Sequence, residues 1–272
     1  MPDHSSVDNV VIPVSNRKIP IRISGEGQPI LLLHGYPLDS RLWDKLVPLL
    51  SMDHLCISPD LRGFGQSDEE SKSFSIADLA DDCEKILGEL QIRRPVGVCG
   101  LSMGGYDAMQ FAESHATRLA SVILTNTRAN ADDEAGAAAR RTVAGVALTE
   151  GVAAVVLPML AKMMSPQTMS HQIRVVELVR SMMLETPAST IAWAQLAMSV
   201  REDFRFRMRS WKIPVVCVAG TEDTIAPPEI MEQMARLAPK SEMHIVSNSA
   251  HLTPLECPEE FAQIVRKTTS VL

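Results

Sequence analysis

The sequence predicts an α/β fold: a mostly parallel sheet with helices on both faces, interrupted once by a helical insertion. Three observations carry that expectation. Short apolar runs alternate with helical stretches along most of the 272 residues. The alternation lapses between about Asn126 and Arg209, where Ala, Met and Val recur at helical spacing. Finally, Val96-Gly97-Val98-Cys99-Gly100-Leu101-Ser102-Met103-Gly104-Gly105 reads as a strand, a sharp turn and a helix start, with a serine on the turn.

Each element has its own warrant. Val10 to Val14 and Ile19 to Ile23 are β-like runs around Ser15-Asn16-Arg17, which predicts a hairpin. Pro29 to His34 is a continuous apolar run, the pattern of a strand covered on both faces. Leu42 to Leu50 predicts a helix entered near Asp39 and Ser40, and Leu55 to Ser58 the next strand. Ser75 to Leu90 is amphipathic, with Ser75 and Asp78 as a capping pair. Val96 to Cys99, Ser121 to Thr125, Pro214 to Ala219 and Met243 to Val246 read as further strands. The last helix is expected from Pro258 to Val271, with proline at its start.

The domain division follows from the lapse. Residues 1–125 and 210–272 are expected to form the core, and 126–209 a helical cap. Eight of the fifteen methionines fall in that insertion, enough either to pack its own core or to line an adaptable apolar pocket.

Composition excludes several classes. The net charge is −7 with no long basic run, so nucleic acid finds no electrostatic footprint. No apolar run reaches the length of a membrane span; the longest, near Val152 to Leu160, is broken by Pro158. The opening MPDHSSVDNV has no apolar signal core, and the five cysteines are odd in number without metal-type spacing. A cytoplasmic setting is the expectation.

Gly100-x-Ser102-x-Gly104 leaves a serine oxygen at the head of a helix, where it can attack a carbonyl carbon if a base takes its proton. The plain alternative is a serine N-cap. Two later loops supply partners. Gly220-Thr221-Glu222-Asp223 leaves one strand end and offers Asp223, with Glu222 as competitor. Ser249-Ala250-His251 leaves another and offers His251. The order Ser, Asp, His is that of a nucleophile, an orienting acid and a base. His4, His54, His115, His171 and His244 lie in a tail, before a strand, near a helix end, in the insertion and inside a strand. An oxyanion hole would use the amide of Met103 and that of Tyr36 in His34-Gly35-Tyr36-Pro37, since Pro37 has no N–H. His34 reads as a structural hydrogen-bonding residue.

These residues, with Asp60-Leu61-Arg62-Gly63-Phe64-Gly65-Gln66-Ser67, make the chain resemble an α/β-hydrolase-fold serine hydrolase over nearly its whole length. Gly-Leu-Ser-Met-Gly-Gly with Leu124-Thr125-Asn126-Thr127 is similar to 3-oxoadipate enol-lactonases and bacterial carboxylesterases. The resemblance implies an esterase acting through an acyl-enzyme on Ser102, without metal or cofactor, on a small-molecule ester or lactone. A homo-oligomer is compatible with it, and Asp60 to Ser67 would be a structural turn. Enol-lactonase, C–C bond hydrolase and perhydrolase chemistry share the same residues, and a non-catalytic binding protein shares the fold. Serine at 102 argues against haloalkane dehalogenases and epoxide hydrolases, which carry aspartate there.

Overall fold

The structure is a computed structural model that describes residues 7–69 and 72–269. His4 and the expected helix end at Val271 lie outside them. The hairpin forms as β1 (Asp8–Val14) and β2 (Arg17–Ser24), paired antiparallel, with Ser15 and Asn16 at positive φ in the turn. β3 (Gln28–Leu33) and β4 (His54–Pro59) follow, then β5 (Val96–Leu101), β6 (Leu119–Thr125), β7 (Val215–Gly220) and β8 (Ser241–Val246). They make one eight-stranded sheet in the order β1-β2-β4-β3-β5-β6-β7-β8, in which β2 and β4 are antiparallel and every later pairing is parallel. β5 sits in the interior of this order, and every residue of β5 and β7 is buried, as parallel strands with helices on both faces require.

The expected helix from Leu42 to Leu50 does not form whole. A 3-10 turn (Ser40–Trp43) is followed by a separate short helix, α1 (Val47–Leu50). Pro48 has no N–H to continue a helix from upstream, but it is tolerated in a first turn. α2 (Ile76–Glu89) carries the expected capping box, Ser75 and Asp78 bonding each other's backbone. α3 (Met103–Ser114) starts directly after Ser102.

Between β6 and β7 the chain is helical: α4 (Glu134–Glu150), α5 (Val152–Met163), α6 (Pro166–His171), α7 (Ile173–Glu185) and α8 (Ala188–Ser199). α4 packs on α8, and both helices carry small buried residues, Ala144 and Ala147 on α4 and Ala194 and Ala197 on α8. Both expectations for the insertion's methionines are met in part. Met163, Met164, Met182, Met183 and Met208 are buried in the hydrophobic core, while Met159 and Met198 line a cavity next to Ser102.

Three helices close the chain. α9 (Pro228–Ala235) was not foreseen, although Pro228 at its first position is a standard start. Neither was α10 (Thr253–Glu256), directly after His251, whereas α11 (Pro258–Thr269) begins at the expected proline. Among the described residues no helix is long and apolar enough to cross a membrane.

Candidate active site

Ser102 stands between β5 and α3 at φ 55° and ψ −110°, a strained conformation for a non-glycine residue. Its neighbours explain why the strain holds. A Cβ on Gly100 would lie 2.0 Å from the Gly104 carbonyl oxygen, and one on Gly104 2.2 Å from the Leu33 carbonyl oxygen. Only glycine lets the helix start this close to β3 and β5. The turn is clamped from β6: the Ser102 amide donates to the Thr125 carbonyl at 3.0 Å, and Thr127 Oγ1 donates to the Ser102 carbonyl at 2.7 Å. The Ser102 side chain makes no capping bond, so the plain N-cap role does not account for it. It lines a cavity of about 170 Å³ together with His251 and Tyr36.

His251 and Asp223 are brought together from separate strand ends. Asp223 Oδ2 accepts from His251 Nδ1 at 2.8 Å, and both side chains are nearly inaccessible. Asp223 Oδ1 accepts from the Ile225 and Ala226 amides at 2.8 and 3.0 Å, and Oδ2 also from Asn126 Nδ2 at 2.8 Å. Burial pushes this carboxyl up, but His251 and the other donors outweigh it and hold the carboxyl at about 2. The carboxylate is thus charged at any pH near neutrality, which fixes the proton of His251 on Nδ1. Among the described residues nothing bonds His251 Nε2, and that nitrogen is left as an acceptor for a proton.

Glu222, the competing acid, is exposed, and among the described residues only its amide is engaged, with the Ser249 carbonyl at 2.9 Å. The other described histidines are occupied elsewhere. His34 accepts the Leu61 amide at 2.9 Å and donates to the Gly35 carbonyl. His54 bonds Asp53 and Thr269, His115 faces Asp81, His171 faces Ser170 and His244 faces Glu242. Asp60 stays structural: its carboxylate accepts the Ser40 and Gln66 amides, both at 2.9 Å.

The two oxyanion candidates differ in surroundings. Met103 is the first residue of α3, so its amide belongs to the helix N-terminus, where backbone donors are free. Tyr36 precedes Pro37 through a cis peptide, and no hydrogen bond among the described residues uses its amide. Its hydroxyl is buried without a full hydrogen bond, and burial, opposed by nearby Gln195, pushes it up to about 12.

Several residues that sequence reasoning missed support this geometry. Asn126, at φ 48° directly after β6, ties Asp223 to the Ala250 carbonyl. Buried Glu256 accepts the Ala250 amide at 2.9 Å, the Leu252 amide at 3.3 Å and the Ser165 amide at 2.7 Å, and so latches the His251 loop to the insertion. The His251 amide itself donates to the Met163 carbonyl at 3.1 Å. Arg201 stacks 4.4 Å from the Tyr106 ring centroid and shares Asp132 with Arg140. Asn126 follows a strand end as Asp223 does and lies in the Leu124-Thr125-Asn126-Thr127 stretch that carries part of the resemblance, but nothing local marks it as a partner of Asp223. Glu256 lies five residues past His251 on a helix too short for periodicity to reveal.

Comparison with known proteins bears on the fold and the family. The model of the alpha/beta hydrolase fold family matches residues 28–258. The chain is 28% identical over 261 residues to 3-oxoadipate enol-lactonase 1 of Acinetobacter baylyi, covering 93% of this chain and 94% of that one. It is 26% identical over 248 residues to a pimeloyl-[acyl-carrier protein] methyl ester esterase of Aeromonas hydrophila, covering 89% and 95%. Among solved structures it superposes on a thermophilic esterase from Thermogutta terrifontis with a TM-score of 0.92 and 33% identity, covering 96% and 97%. The enol-lactonase from Burkholderia xenovorans gives 0.89 and 26%, covering 96% and 100%.

Proposed function

The chain belongs to the alpha/beta hydrolase fold family and is a hydrolase, and from that premise we propose that it cleaves carboxylic esters through a Ser102–His251–Asp223 triad. The observation that carries the reading is one arrangement. A serine on a strained turn shares a cavity with a histidine whose Nδ1 is held by a buried carboxylate and whose Nε2 has no hydrogen-bond partner among the described residues.

Ser102 Oγ attacks the ester carbonyl carbon while His251 Nε2 takes its proton. Asp223 keeps the imidazole in the required tautomer and stabilises its charged form. The amides of Met103 and Tyr36 donate to the carbonyl oxygen as it becomes negative. The carbon–oxygen bond to the alcohol then breaks, and the alcohol leaves with the proton from His251. Water attacks the acyl-enzyme with His251 again as base, the acid is released, and Ser102 recovers its proton. The cycle consumes only ester and water. Residues 126–209 act as a cap over Ser102, a role supported by Met159, Gln195 and Met198 in the same cavity wall.

Enol-lactone opening is the second reading, favoured by the enol-lactonase relatives in sequence and structure. The test is a fluorophosphonate probe followed by a panel of p-nitrophenyl esters and enol-lactones. Covalent labelling confined to Ser102, with turnover of at least one class, is the expected result. Failure to label, with no turnover of either class, would sink the triad reading. A lactone preference with negligible ester turnover would select the second reading.

A further inference from the structure

We propose that the apolar groove between α4 and α5 binds a long apolar arm of the substrate whose carbonyl carbon is attacked by Ser102. This rests on the reading of Ser102 as nucleophile. The serine cavity, about 170 Å³, is small beside the roughly 300–1,000 Å³ of ordinary ligand sites, and its walls carry Tyr36, Asn126 and Arg128. It holds the ester group and a short substituent, and little more.

A second hollow of about 520 Å³ adjoins it, walled by Val143 and Val146 of α4 and by Ala154, Val155 and Pro158 of α5, with exposed Lys162 as its one charged wall residue. The two spaces have Met159, Gln195 and Ile225 in common, so three side chains form the partition. They are held unequally. The Ile225 amide is bonded to Asp223 Oδ1 at 2.8 Å, which ties that side of the partition to the acid. Gln195 Oε1 accepts from Arg140 Nη1 at 3.2 Å. Among the described residues Met159 has no polar tie, and its unbranched thioether re-shapes at little cost. A chain leaving the serine cavity past Met159 therefore enters an apolar groove open to solvent.

The groove fits a partner of definite chemistry: an ester or lactone with a small group on one side of the carbonyl and a linear apolar chain on the other. Each methylene buried in such a groove raises affinity about fourfold. Selectivity among esters is then set by the α4–α5 groove, while the triad treats all of them alike.

The test uses the full-length protein, with p-nitrophenyl acetate and octanoate as one pair and ethyl and octyl acetate as another. Ala154→Trp places an indole in the groove. The ratio of kcat/KM for the long ester over the short one should fall at least tenfold in one pair. An unchanged ratio in both pairs overturns the groove proposal, whatever the absolute rates. Should Ala154→Trp fail to fold, Met159→Ala decides: it opens the partition and should raise the same ratio at least threefold, and an unchanged ratio overturns the proposal. Fluorophosphonate labelling of Ser102 separates the two readings. If labelling persists while the ratios stay put, the groove proposal alone has failed. If the wild-type protein neither labels nor turns over any ester, the nucleophile reading has failed and takes the groove with it. A wild-type dimer in light scattering that Ala154→Trp converts to monomer, with ratios unchanged, would assign the groove to a second copy of the chain and overturn the proposal.

Discussion

Around Ser102 the backbone is fixed by contacts that leave no room for a side chain, whereas α4 and α5 meet their surroundings through alanine, valine and methionine. At the turn, the atoms that would clash with a Cβ on Gly100 or Gly104 are main-chain oxygens, which cannot step aside. In the insertion, Leu148 and Leu157 are 58% and 43% exposed, and the Met159 side chain is without a polar tie among the described residues. Polar links between the two regions include Glu256 with Ser165, the His251 amide with Met163, and Arg201, held by Asp132 within the insertion, over the Tyr106 ring of α3. On the proposed function, the difference assigns the chemistry to the rigid side of this seam and shape selection to the soft side. Substitutions can be ranked by which side they touch.

The largest effect belongs to the rigid side. Ser102→Ala should lower kcat about 10⁶-fold, the loss seen when a nucleophile is removed from a comparable triad. Its melting temperature should stay within a few degrees, since Ser102 makes no side-chain cap to α3. An alanine variant that keeps a few per cent of kcat would break the comparison at its root.

Next comes the acid. Asp223→Asn should cost about 10⁴-fold in kcat, because an amide at 223 favours the wrong imidazole tautomer. Glu222→Gln should change kcat by less than about threefold, since Glu222 is exposed and its carboxylate holds nothing among the described residues. Steady-state kinetics on the two variants would exchange the assignments if the order were reversed.

The same division governs what could be read from the sequence. Ser102, Asp223 and His251 each follow a strand end, and strand ends are legible because apolar runs with turn residues after them are local. Glycine spacing around Ser102 is local too. Asn126 also follows a strand end, but nothing local marks its role or that of Glu256; their partners lie 97 and 91 residues away, at Asp223 and Ser165, and only the fold brings them together. The break between the Ser40–Trp43 turn and α1 was missed because nine apolar-rich residues outweighed one proline. Within the insertion, helical spacing announced helices. Which methionine faces the cavity depends on how α4, α5 and α8 cross, and periodicity holds no information on that.

A smaller effect tests the seam by charge. Burial pushes Asp132 up, but hydrogen bonds from Arg201 and Arg140 prevail and hold it at about 2. A carboxyl below its ordinary value stabilises the fold fully above that value, near 3.8, and loses the contribution as pH falls toward 2. Solvent screening at this partly exposed carboxylate leaves a contribution of about 1–2 kcal/mol. Asp132→Asn should therefore lower stability at pH 7 by about 1–2 kcal/mol, leaving buried Arg201 without its carboxylate. It should also flatten the decline of the melting temperature between pH 4 and 2. A parallel decline in both proteins would mean that the seam does not depend on this carboxylate.

Glu256→Gln comes next. The glutamine cannot accept on both sides, so either the Ser165 amide or the amides of Ala250 and Leu252, which share one oxygen, lose their acceptor. A cost of about 1–2 kcal/mol follows for a buried donor left unpaired. Because the loop carries His251, kcat should fall several-fold with KM little changed. A change in KM alone would place Glu256 on the soft side of the seam instead.

The smallest effect should come from the outer face of the insertion. Leu148→Glu alters an exposed residue on α4, and surface changes of this kind stay within about 0.5 kcal/mol. Its counterpart in the sheet, Ile123→Ala on β6, removes a side chain with no exposure and should cost about 2–5 kcal/mol. Equilibrium urea unfolding of the two variants measures both numbers on one scale. The contrast matters more than either value. If Leu148→Glu proves as costly as Ile123→Ala, the outer face of α4 is covered by something in solution. The insertion would then no longer be the soft partner of the pair.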